Sequence, residues 1–145
     1  MKILIVGATG VEGSLTTKKL LAKGIAVRAL TRTPAKAVAL AQLGAEVVQG
    51  DLREVESLRR ACAGVDKVLA AAHSLLGRGV DASKYVDAIG HKQLIDVAKA
   101  AGVQHLVYTS ILGGSPTYPV PFNQIKLAVE HYLQASGLAY TILRP

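Results

Sequence analysis

The 145-residue sequence holds one cysteine, one phenylalanine and no tryptophan. Cys62 alone cannot form an internal disulfide, which fits a reducing, cytoplasmic setting. Aromatic residues are 4% of the chain, too few for a platform on which bases stack. Half of the residues are apolar, yet no run reaches the roughly 18 uninterrupted apolar positions that a membrane-spanning helix requires. The opening MKILIVG carries one lysine and a short apolar stretch ending in glycine, which is neither long enough nor correctly flanked for a secretory signal. The net charge is +7, but the basic residues are scattered. Lys18–Lys19 and Arg59–Arg60 are the adjacent pairs, both at positions that read as solvated helix faces. Neither membrane nor nucleic acid is therefore expected as a partner, and a small phosphate-bearing molecule accounts for the charge. No metal site is expected.

What the chain does have is regular alternation. Short runs rich in β-branched residues and leucine fall at about Ile3–Val6, Ala26–Leu30, Glu46–Gln49, Lys67–Ala70, His105–Tyr108 and Tyr140–Leu143, each of a length suited to a strand buried on both faces. Helical segments separate them. The first spans Val11 to Lys23 and stops at Gly24; the second has Thr33 as N-cap and Pro34 at its first position, and ends at Gly44. DLRE, from Asp51 to Glu54, reads as a capping box for a third helix closing at Gly64, and two more end at Gly102 and Gly137. Six strands alternating with five helices predict an α/β fold, a Rossmann-type doubly wound parallel sheet with right-handed crossovers and helices on both faces. LGGSPTYPVP, from Leu112 to Pro121, is expected as an irregular loop after the fifth strand.

The most informative stretch is GATGVEG, Gly7 to Gly13, set between the first strand and the first helix. At such a turn backbone N–H groups and the positive end of the helix dipole face an anion. Gly7 permits the tight turn, Gly10 lets a pyrophosphate approach the backbone, and Gly13 lets the helix pack on the strand. Thr9 and Val11 belong to the same expected contact surface. Glu12 favours the helix dipole but repels phosphate, so its side chain is expected to point away. The second strand ends RALTRTPAK, where Arg32 and Lys36 occupy the region in which an NAD site places an acid for the ribose 2′-hydroxyl. An arginine there suits a 2′-phosphate and predicts NADPH over NADH. Asp51, with Leu52 beside it, either contacts adenine or only caps its helix.

The segments ILIVGATGVEG, VRALTRTPAKA, VVQGDLREVESLRRACAGVDKVL, HLVYTSILGG and KLAVEHYLQASGLAYTILRP together resemble the atypical short-chain dehydrogenase/reductases, specifically the NmrA-like NAD(P)-binding group. The resemblance covers essentially the whole chain and implies one NAD(P)-binding domain over residues 1–145, with NADPH across the carboxyl edge of the sheet. It places Ala71, Ala72 and His73 beside the ribose and nicotinamide, and implies a small-molecule substrate such as a quinone, a flavin or a carbonyl compound. It also includes proteins that bind the cofactor without turning it over, so a non-catalytic sensor acting through a protein partner is the alternative. Catalytic members pair a serine after the fifth strand with Tyr-x-x-x-Lys. Ser110 stands in the serine position and Lys126 in that of the lysine, but Phe122 replaces the tyrosine and cannot donate a proton. Tyr118 and His73 remain as weaker substitutes, Ser110 could equally cap a turn, and Lys126 could equally be a solvated helix lysine. TILRP resembles the strand after which family members begin their substrate-covering portion, so the chain is expected to be either a minimal cofactor domain or the N-terminal part of a longer one.

Overall fold

The computed structural model describes residues 1–74, 77–79, 82–112, 117 and 120–145. Six parallel strands form one sheet in the order β3-β2-β1-β4-β5-β6. They are β1 (Lys2–Val6), β2 (Ala26–Thr31), β3 (Glu46–Gln49), β4 (Lys67–Ala70), β5 (His105–Thr109) and β6 (Tyr140–Leu143). Strand order reverses at β1, whose Ile5 aligns with Ala29 on one side and Leu69 on the other. A ligand crevice is expected beyond the carboxyl ends of the strands at that reversal.

Alternating side chains divide the core. Leu4 and Val6 join Leu58 of α3 (Val55–Cys62), Leu94 and Ile95 of α4 (His91–Ala100), and Val129 and Leu133 of α5 (Pro121–Ala135). Ile5 faces the other way, into a smaller cluster with Ala29, Leu69 and Leu40, against which Leu20 and Leu21 of α1 (Val11–Ala22) pack. Leu40 lies in α2 (Val38–Gln42). The predicted doubly wound arrangement is thus present, and among the described residues no helix is long and apolar enough to cross a membrane.

Several local expectations are corrected. The capping box does not form: α3 begins at Val55, and its N-cap, Glu54, makes no side-chain cap bond. The Asp51 carboxylate instead accepts the Arg53 N–H at 2.9 Å and pairs with the Arg53 guanidinium at 2.6 Å. Ser57 takes over the strand-to-helix turn, its Oγ accepting from Asp51 N and donating to Glu54 O. Thr33 likewise gives no side-chain cap, and Pro34–Ala37 is a 3-10 turn before α2. Pro121 is the first residue of α5 rather than the end of an irregular loop. Lys84–Gly90 forms a π-helical segment running directly into α4, a wider turn that no hydrophobic period signals.

Candidate functional site

At the end of β1 the chain turns through Gly7 with φ +87°. A side chain there would meet the Ala72 backbone at 2.7 Å, and one at Gly13 would collide with the Gly7 carbonyl. Both glycines therefore permit backbone to approach backbone, drawing α1 onto β1 and the loop after β4 onto the turn. Gly10 differs: its backbone is extended (φ −73°) and a side chain would meet only the Gly7 carbonyl, at 3.4 Å. Its open side belongs to a cleft of about 760 Å³. Gly10 is the N-cap of α1 and no side chain caps that end, so first-turn N–H groups that lack intrahelical carbonyls lie at the cleft wall.

The cleft has a polarity of residue type along its length. Arg32 and Lys36 line it beyond β2, with Asp51 and Leu52 beyond β3; Gly7, Thr9, Gly10 and Val11 line its middle; Ala71, Ala72 and His73 line it beyond β4. Asp51 is engaged by Arg53, whose hydrogen bonds outweigh partial burial and hold its carboxyl below the usual range. The predicted binding residues are thus brought to one cleft, apart from Gly13 and Lys126. This form fits a dinucleotide: there is space before Gly10, donors at a helix end, and cationic side chains at one extremity.

Ser110 and Lys126 lie behind the cleft, 4% and 3% exposed. Lys126 is no solvated helix lysine. Its ammonium donates to the Thr109 carbonyl at 3.1 Å, stands 3.7 Å from Asp87 Oδ1, and faces the rings of Tyr108 and Phe122 at 4.8 and 5.5 Å. Burial pulls its pKa down against the pull of Asp87, while burial pushes the Asp87 carboxyl up. Ser110 caps no turn: its buried hydroxyl faces the Glu130 carboxylate and helps hold that carboxyl low. Tyr118 lies outside the described residues.

The sequence reading missed the rest of this buried group. Asp87 Oδ2 accepts the Ser74 N–H at 2.9 Å, tying the cleft-lining loop after β4 to the π-helical segment. His91 Nδ1 lies 2.9 Å from the Asp87 carbonyl, and its ring meets Tyr108 edge-on at 5.2 Å. Burial holds the imidazole neutral, with a pKa lowered to about 3. On Glu130, burial works to raise the carboxyl, but Arg144 at 2.5 Å prevails and holds it low. The available signal was spacing: Asp87 and His91, like Lys126 and Glu130, stand four apart, which ordinarily marks a solvated helix face. Glu12 corrects the expectation that its side chain points away: it lines the cleft. Its carboxylate accepts the Thr109 hydroxyl at 2.6 Å across the top of the sheet.

A family model described as NAD(P)H-binding matches residues 7–145. The chain is 39% identical over 146 residues to a photosystem II assembly factor, Ycf39, of Cyanophora paradoxa, covering 99% of this chain and 44% of that protein. It is 37% identical over 144 residues to quinone oxidoreductase 2 of Escherichia coli strain K12, covering 98% of this chain and 47% of the relative. A crystal structure of the NADPH-dependent quinone oxidoreductase QOR2 of Escherichia coli complexed with NADPH superposes with a TM-score of 0.81 at 35% identity, covering 99% of this chain and 48% of that one. The chain therefore spans a little under half the length of these relatives.

Proposed function

The chain belongs to the NAD(P)H-binding family, and from that premise we propose that it is the NADPH-holding domain of an atypical, NmrA-like short-chain reductase that passes hydride to a small acceptor. The observation that carries this reading is the pairing, in one cleft, of the open Gly10 turn with Arg32 and Lys36 at its β2 end. Arg32 and Lys36 would receive the 2′-phosphate, the turn from Gly7 to Val11 the pyrophosphate, and the loop from Ala71 to His73 the nicotinamide end. When bound, the cofactor supplies a hydride and the chain supplies its placement. With Phe122 where a phenol would stand, an acceptor that takes its proton from solvent, such as a quinone or flavin, suits the site better than a carbonyl compound. A reducing, cytoplasmic setting belongs to the same reading; the Cys62 thiol is buried, and burial pushes its pKa up to about 11.

The test is fluorescence titration with NADPH and NADH in the wild type and in Arg32→Ala. Wild type is expected to prefer NADPH, and Arg32→Ala to lose roughly ten- to a hundredfold in NADPH affinity with little change for NADH, since a charge-assisted hydrogen bond is worth roughly 1.5–3 kcal/mol. Equal wild-type affinities would overturn the cofactor preference. One observation favours a second reading, a non-catalytic NADP(H)-sensing regulator acting on a protein partner: Phe122 packs its ring against the Lys126 ammonium and offers no proton. A relative named as a photosystem II assembly factor is in keeping with the part of that reading that involves a protein partner. NADPH consumption with a panel of quinones and flavins separates the two.

A further inference from the structure

A carboxylate in the wall of a cleft meant for a polyanion needs a reason. Glu12 lines the cleft from the first turn of α1, and its Oε1 is held 2.6 Å from the Thr109 hydroxyl at the carboxyl end of β5. The bond carries the carboxylate to the β5 side, the side of the cleft opposite Arg32 and Lys36 beyond β2. On the reading above, that is the nicotinamide side. The other charges near it do not cancel it. Lys126, which donates to the carbonyl of the same Thr109, is already matched by Asp87 at 3.7 Å, and both are buried. The pair is close to neutral as seen from the cleft, which leaves Glu12 a net negative charge at that end. Among the described residues, His73 also lines that end of the cleft.

Oxidised and reduced nicotinamide differ by one positive charge. We infer that Glu12, fixed by Thr109, is a redox-specificity residue that makes the cleft favour the oxidised dinucleotide over the reduced one. The inference rests on the proposed dinucleotide site and deepens it. Glu12 repels the phosphates of both forms alike, so this part lowers affinity without discrimination. Its attraction for the ring charge acts on one form alone. At a dielectric response between those of protein surface and water, such a charge on the ring's side of the cleft is worth about three- to tenfold in relative affinity. Tighter binding of the oxidised form lowers the potential of the bound couple, about 30 mV for tenfold, and makes it a stronger hydride donor.

The experiment measures dissociation constants at constant pH and salt for NADP⁺, NADPH and 2′-phospho-ADP-ribose, which lacks the nicotinamide. The proteins are the wild type, Glu12→Gln and Thr109→Val. In Glu12→Gln all three ligands should bind more tightly, with NADP⁺ gaining least, so that the affinity ratio moves about three- to tenfold toward NADPH. Thr109→Val frees the carboxylate and should move the ratio the same way by less. Equal gains for NADP⁺ and NADPH in Glu12→Gln would overturn the inference while leaving the site intact. A wild type that binds none of the three ligands would overturn the dinucleotide reading itself, and the inference with it.

Discussion

His91 offers a quantitative test of the buried polar group, because its environment fixes both the sign and the size of a pH effect. The imidazole is 1% exposed. Burial and the nearby Lys126 ammonium depress its pKa from 6.5 to about 3. In the unfolded chain it takes up a proton below 6.5, and in the folded chain it does not. The stability it contributes is therefore complete above the unfolded value and drains away as pH falls toward the folded one. Integrating between these two values gives a loss of about 2 kcal/mol between pH 7 and pH 5. That is a large share of the roughly 5–15 kcal/mol that holds a domain folded, and corresponds to roughly 6–8 °C in Tm. Urea unfolding at a series of pH values, in the wild type and in His91→Gln, reads this directly. Glutamine is neutral throughout, and carboxyl titrations common to both proteins cancel in the difference. The expected result is a gap that narrows in the variant's favour by about 2 kcal/mol from pH 7 to pH 5. Parallel profiles would refute the reasoning and mean that His91 is protonated, or exposed, in the folded state.

Two further predictions concern the cleft. Gly10→Val should abolish NADPH binding while leaving far-ultraviolet circular dichroism nearly unchanged, since a side chain there meets only the Gly7 carbonyl within the protein; normal titration by the variant would put the phosphate site elsewhere. Phe122→Tyr would place a phenol on the ring that already faces the Lys126 ammonium at 5.5 Å. It should raise NADPH-dependent reduction of activated aldehydes or diketones by up to ~10²-fold, with the gain lost in Phe122→Tyr/Lys126→Ala. No gain with NADPH binding intact would move the balance to the sensor reading.

The framework was legible because it rests on local rules. The strands Glu46–Gln49, Lys67–Ala70 and Tyr140–Leu143 carry the bounds read from the sequence, and β2 and β5 each run one residue further, to Thr31 and Thr109. The inner strands are apolar at most positions, whereas the edge strands β3 and β6 are not buried on both faces as expected, because each has a neighbour on one side only; the glycines that end the helices adopt positive φ, so strands and helix ends both leave local marks. The cleft wall was legible for the same reason: glycine spacing and the residues following each strand place it without knowledge of packing. The interior behind it was not. Asp51 matched the capping pattern, yet Arg53 competed for its carboxylate and Ser57 supplied the turn. Lys126, Asp87 and His91 are polar residues whose burial depends on how the π-helical segment seats on α5 and β5. A seven-residue widening from Lys84 to Gly90 follows from tertiary fit, where Gly90 lets the segment close on Leu52, and no periodicity in the chain announces it.

The position of β1 also governs how the molecule comes into being. Of the six strands this one precedes the others in the chain yet lies inside the sheet, and its second neighbour, β4, is not available until the chain has been synthesised through Ala70. Until then one whole edge of Leu4, Ile5 and Val6 is unpaired, a template for wrong partners as the nascent chain lengthens. The arrival of β4 ends that exposure at both ends of the strand: Asp66 accepts the Lys2 N–H at 2.7 Å, and Ala71 donates to the Val6 carbonyl at 2.9 Å. The second of these contacts brings the loop after β4 against Gly7, which is the step that forms the cleft. Pairing the second edge of β1 and seating the loop after β4 on the Gly7 turn are one event, so a dinucleotide held in the cleft during synthesis would act as a folding ligand, favouring the state in which β1 is paired on both edges.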